Sequence, residues 1–145
     1  MVDALPRWLE CTIITHSPTV AAALVGHAAE VFLIGGQLFK HSMVACGAAA
    51  VEAASAISAD LFFLGVTGMH PSEALTTGDP DEAAMKRALA ARAAETWVLA
   101  SEEKVGAASR FRVLGLDDVA GIITDVADSA TVRELRGAGV VVVSA

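Results

Sequence analysis

Two hydroxyls, two carboxylates and an ammonium stand close together in one stretch of this chain, at Thr76, Thr77, Asp79, Glu82 and Lys86. Their order spells a helix start. Asp79 serves as N-cap, and Pro80 fits the first helical position, where its missing N–H costs nothing. Glu82 stands where a capping box requires an acid. Lys86 follows one turn after Glu82, so carboxylate and ammonium share a helix face. Such a pair suits two kinds of work. It contributes a few tenths of a kcal/mol to a solvated helix, or it serves in proton transfer. The loop ahead of the helix offers alcohols and unpaired N–H groups at the positive end of a helix dipole, a setting that suits a small anion.

Four other groups carry candidate chemistry. Gly35-Gly36 and Gly65-Val66-Thr67-Gly68 each follow an apolar run, and each reads either as a turn or as a place where a ligand approaches the main chain. The second is not a dinucleotide fingerprint, because it lacks a third glycine and a helix directly after it. Thr15-His16-Ser17 closes a third apolar run; His16 could donate to a ligand, act as acid or base, or face solvent. Lys104 lies in the polar turn Ser101–Gly106 after a fourth, either as a solvated charge or as a partner for an anion. His27, His41 and His70 lack the spacing of metal ligands, and no metal is expected. Cys46 reads as a small buried hydrophobe heading an alanine-rich helix. Ser101 lacks the G-x-S-x-G context of a nucleophile elbow. No residue is assigned to catalysis, and no cofactor is implied.

The elements that must position these residues alternate between strand and helix, as in an α/β domain with a mostly parallel sheet. Strands are expected at 11–15, 31–34, 60–66, 96–101, 111–114, 121–124 and 140–143. Helices are expected at 18–25, 45–57, 80–94 and 131–136. No internal repeat or flexible linker is visible. Right-handed crossovers place the loops that follow parallel strands along one sheet edge, where ligands bind. The expectation is that the loops at 15–17, 35–37, 65–68, 76–79 and 101–106 converge on one crevice.

Composition sets the bounds. A chain of 145 residues that is 54% hydrophobic and 5% aromatic, without tyrosine, is expected to form one domain with an aliphatic core. Its two cysteines, Cys11 and Cys46, form no disulfide pattern, which favours a reducing cytoplasmic setting. No run reaches the roughly 18 to 20 apolar residues that span a bilayer, and Asp3, Pro6, Arg7 and Glu10 occupy the place of a signal peptide's apolar stretch. A soluble protein is expected. The formal net charge of −7 repels phosphate backbones, so this chain alone is not expected to grip nucleic acid.

Taken in order, Ile13–Ser17, Val31–Gly36, Asp60–Gly68, Leu75-Thr76-Thr77, Glu82–Arg87 and Ile123-Thr124-Asp125 closely resemble the C-terminal sensor domain of DeoR-family transcriptional regulators. The resemblance covers almost the whole chain. It implies a three-layer α/β/α fold similar to ribose-5-phosphate isomerase, glucosamine-6-phosphate deaminase and the CoA transferases. It also implies a homo-oligomer that binds a phosphorylated sugar and reaches DNA only through an upstream helix-turn-helix. Carried over residue by residue, the effector contacts are Thr15, His16, Ser17, Gly35, Gly36, Gly65, Thr67, Gly68, Thr76, Thr77 and Lys104, with Asp79, Glu82 and Lys86 near the sugar. The alternative that the shared fold implies is a sugar-phosphate isomerase-like enzyme, with Glu82 or Asp79 as general base next to a carbonyl and Lys86 or Lys104 stabilising the enediolate. Two departures stand out. The opening strand with its Asp-Ser-Gly-Thr-Thr type phosphate loop is not found ahead of Leu5-Pro6, which reads as a domain lacking its first strand and its DNA-binding part. His16 stands where the family typically has asparagine.

Overall fold

The computed structural model describes residues 2–145. These divide into two compact units, one running to Ala56 and the other spanning Ile57–Ala145.

In the first unit, β1 (Thr12–Thr15) and β2 (Glu30–Leu33) pair in parallel, with Thr12 opposite Glu30 and Thr15 opposite Leu33. The crossover between them is α1 (Pro18–Leu24), which starts as its sequence dictates. Ser17 is the N-cap and Pro18 follows at a position that needs no N–H donor. After Gly35-Gly36 the chain turns into an antiparallel hairpin of β3 (Gln37–Phe39) and β4 (Val44–Cys46), then enters α2 (Ala48–Ser55).

The second unit holds a four-stranded sheet in the order β11-β10-β8-β5, every pairing parallel. Its strands are β5 (Ala59–Gly65), β8 (Ala93–Ala100), β10 (Gly121–Thr124) and β11 (Val142–Ser144). Beside it lies an antiparallel sheet of β6 (Gly68–His70), β7 (Ala74–Thr77) and β9 (Phe111–Leu114). Helices α3 (Pro80–Ala90) and α4 (Ala130–Gly137) flank the parallel strands, as expected of a layered α/β protein. Alternation along the strands decides which residues are covered. Leu64, Val98 and Ile122 are fully buried and join Met69, Leu75, Val113, Ala83 and Leu135 in one aliphatic core. Their neighbours Leu61 and Phe63 point the other way and stay 51% and 43% exposed.

Three expectations are corrected. Ala45 and Cys46 belong to β4, so α2 is shorter than the alanine-rich run suggested, though Cys46 is buried. Thr76 and Thr77 lie in β7 rather than in a loop, and Gly68 opens β6. Helix α3 stops at Ala90, because residues 93–95 join β8. Both hairpins escaped the periodicity reading because they lack an Asn-Gly or Asp-Gly turn. Instead each is closed with a non-glycine residue at positive φ, Met43 at 51° and Ala74 at 64°. Strand, glycine turn, hairpin and helix therefore occur in the same order twice, where the sequence showed no repeat. Among the described residues, no helix is long and apolar enough to cross a membrane.

Candidate ligand-binding site

The second unit turns the capping segment of the sequence into a buried polar chain. The Asp79 carboxylate accepts from the N–H groups of Asp81 and Glu82, at 2.9 Å each. The Glu82 side chain is turned into the protein. Its Oε1 lies 2.8 Å from Lys86 Nζ, and its Oε2 accepts from the Thr77 hydroxyl at 2.9 Å. Thr77 Oγ1 lies 3.3 Å from Thr67 Oγ1. Thr77, Glu82 and Lys86 are 0%, 5% and 7% exposed, whereas Thr67 is exposed. The chain thus runs from an ammonium in the interior to an alcohol at the surface. Burying this ion pair is tolerable because the charges neutralise each other and the carboxylate's second oxygen is satisfied.

The glycines around it have different jobs. At Gly68 a Cβ would sit 2.5 Å from the Ala107 carbonyl oxygen, so glycine is demanded by the close approach of the 107–108 backbone. At Gly65 a Cβ would meet nothing within 4 Å, and its φ is not in the positive region. Neither packing nor conformation accounts for glycine there. Gly65 is exposed and ends β5, and Thr67 follows at the same edge of the parallel sheet.

Thr76 is fully engaged: its hydroxyl donates to the Gly68 carbonyl at 3.3 Å and accepts from the Ser109 N–H at 2.8 Å. The role of Ser109 was not visible in sequence, since it lies far along the chain from Thr76 and carries no motif. Lys104 sits half-buried in the short 3-10 turn Glu102–Lys104 after β8. Beside it, the Ser101 hydroxyl donates to Glu103 and holds that exposed carboxyl below the usual carboxylate range. The backbone N–H of Glu103 and the charge of Lys104 help.

The first unit gathers the other five candidates at the corresponding edge of its own parallel pair, where the Ile34 N–H donates to the Thr15 carbonyl at 2.8 Å. Thr15 Oγ1 accepts from the Ser17 N–H at 3.1 Å. The Ser17 hydroxyl donates to the Met43 carbonyl at 3.1 Å and accepts from the Val20 N–H as helix cap. His16 is half-buried, and its carbonyl accepts from the Ala45 N–H at 2.7 Å. Gly36 is required by packing, with a Cβ there falling 2.8 Å from both Ala50 Cβ and the Cys46 carbonyl; Gly35 meets nothing within 4 Å. Of the two candidate glycines in each unit, one is therefore fixed by packing and the other is not. Among the described residues, no group of three or more His, Cys, Asp or Glu is placed to hold a metal ion.

A family model described as the DeoR C terminal sensor domain matches residues 1–126. The chain is 30% identical over 125 residues to the uncharacterized HTH-type transcriptional regulator FruR of Bacillus subtilis, covering 86% of this chain and 50% of the relative. It is 33% identical over 131 residues to the HTH-type transcriptional regulator GlpR of Haloferax volcanii, covering 90% of this chain and 51% of the relative. A match to the HTH-type transcriptional repressor GlcR of Bacillus subtilis is 28% identical over 118 residues, covering 81% and 45%. The chain spans about half the length of these curated relatives.

Proposed function

We propose, from the premise that this chain belongs to the family of DeoR C-terminal sensor domains, that it is the sensing part of a bacterial-type transcriptional regulator and not an enzyme. Its effector is a phosphorylated sugar or a related anionic metabolite, bound at the carboxyl end of β5. Binding alters the grip of a helix-turn-helix domain on DNA, as befits relatives whose names describe HTH-type regulators and, in one case, a repressor. The regulator works as a cytoplasmic homo-oligomer. A further strand and phosphate loop complete the domain in the longer regulator, and the matching family model runs through both compact units.

The observation that carries this reading is Gly65. It is an exposed glycine at the end of a parallel strand, free of crowding and of unusual φ, next to an alcohol that heads a buried polar chain. Close approach of a ligand to the main chain is a physical reason for glycine at the end of a parallel strand. Lys104, in the turn after β8, supplies the positive charge that a phosphate requires. The commitment of Glu82 to Lys86 and Thr77 favours binding over catalysis, because a general base must be free to reach a substrate proton. Sensing then follows by linkage: a ligand that prefers one conformation of this edge shifts the population of that conformation.

Thermal shift across a panel of phosphorylated sugars tests the proposal. At least one compound should raise the melting temperature of the wild type. Lys104→Ala should weaken its binding roughly tenfold, the loss of one charge-assisted hydrogen bond, while leaving the unliganded melting temperature unchanged. No response to any phosphorylated sugar contradicts the proposal.

A further inference from the structure

The direction of the protons along the buried chain decides what its open end can recognise. The Glu82 carboxylate is held against the Lys86 ammonium and is an acceptor, so the Thr77 hydroxyl must donate to it. A threonine has one hydroxyl proton. With that proton spent on Glu82, Thr77 Oγ1 presents only lone pairs to Thr67, and their contact is a hydrogen bond only if Thr67 is the donor. The main-chain donor of Thr67 is spent as well, on the Thr76 carbonyl at 3.0 Å. Both donors of this exposed residue therefore point inward. The Glu82–Lys86 pair cancels its own charge, so the chain itself brings no net positive charge to Thr67.

We infer that Thr67 is a specificity-determining residue that accepts a hydrogen bond from a hydroxyl of the effector, the sugar's own alcohol rather than an oxygen of its phosphate. This rests on the sugar-phosphate reading above and divides the site within it. The dianion of a sugar's phosphate ester, which offers only acceptors, gains nothing from Thr67 Oγ1, whereas an alcohol gives Thr67 Oγ1 the donor it lacks. The same device separates hydroxylated ligands from deoxy or fluorinated ones, because fluorine in place of the hydroxyl cannot donate.

Two measurements test it. Proton NMR of the wild-type domain should show the Thr67 hydroxyl proton protected from exchange, and Thr77→Val should abolish that protection by removing its acceptor. A Thr67 hydroxyl that exchanges as fast in the wild type as in Thr77→Val overturns the proton order. For binding, the probes are the hexose phosphate with the largest thermal shift, its deoxyfluoro derivatives and sulfate, a tetrahedral dianion without a proton to donate. Thr67→Val should weaken the hexose phosphate five- to tenfold, the range expected for one hydrogen bond, and leave sulfate unchanged. Thr67→Ser should restore binding. One deoxyfluoro derivative should bind wild type and Thr67→Val equally, since the partner hydroxyl is already gone. If Thr67→Val weakens sulfate as much as the sugar phosphate, or if no deoxyfluoro derivative abolishes the difference, the inference fails while the sensor reading stands. If no hexose phosphate binds the wild type, the sugar-phosphate reading and this inference fall together, even with the hydroxyl protected.

Discussion

Residues 30–55 and 59–90 are built on the same plan, with a parallel strand, two nearby glycines, a hairpin closed by a residue at positive φ, and a helix. They differ at the entry to the helix. Helix α2 begins after Gly47, at φ 89°, with no side-chain cap, and its residues are mostly alanine. Helix α3 begins after Asp79, whose carboxylate takes two backbone N–H groups. Helix α3 also carries Glu82 and Lys86, which pair with each other and, through Glu82, with Thr77; α2 has no such ion pair in its sequence. The fold module supplies an edge with an unclaimed glycine in both cases; the second adds the buried Lys86–Glu82–Thr77 chain beside it.

The largest effect should come from the feature that the two segments do not share. Lys86→Met leaves the Glu82 carboxylate buried and uncompensated and should cost about 3–5 kcal/mol, read from urea denaturation. Converting both partners to apolar residues, Glu82→Leu with Lys86→Met, should recover much of that loss. Glu52→Ala in α2 removes an exposed carboxylate and should change stability by less than about 0.5 kcal/mol.

The shared glycines sharpen the likeness. Gly68→Ala and Gly36→Ala each drive a methyl into backbone or side-chain atoms closer than 3 Å and should cost about 1–3 kcal/mol. Their partners Gly65→Ala and Gly35→Ala enter open space and should stay within about 0.5 kcal/mol. Gly65→Ala should nonetheless lose affinity for the phosphorylated sugar, which separates a binding role from a packing one. Asp79→Ala should cost about 1 kcal/mol, an ordinary N-cap loss, measured by thermal denaturation. Equal costs for all four glycines would mean that the division between fixed and unclaimed positions is wrong.

The parallel strands, all four helices and the capping of α1 and α3 were legible in the sequence because each rests on a local signal. Apolar runs mark the strands, and Ser17-Pro18 and Asp79-Pro80 mark the helix starts. Hairpins β3–β4 and β6–β7 were not legible, since their strands are three or four residues long and their turns use Met43 and Ala74 in a conformation that neither residue type advertises. The pairing of Glu82 with Lys86 followed from helical spacing. Its burial did not, because it depends on β7 lying beside α3 and presenting Thr77 to the carboxylate. Nor could the sequence separate Gly65 from Gly68, or Gly35 from Gly36. The distinction comes from residues 107–108 in one unit and from Cys46 and Ala50 in the other, contacts made by segments distant in the chain.

Amide NMR titration with the best-binding hexose phosphate tests the central claim, that the effector sits at the carboxyl end of β5, most directly. The account predicts that saturable shifts concentrate on Gly65, Val66, Thr67, Gly78 and Lys104 while the amides of the core helix residues Val132 and Leu135 stay in place. Saturable binding that leaves Gly65 to Thr67 unmoved would contradict it.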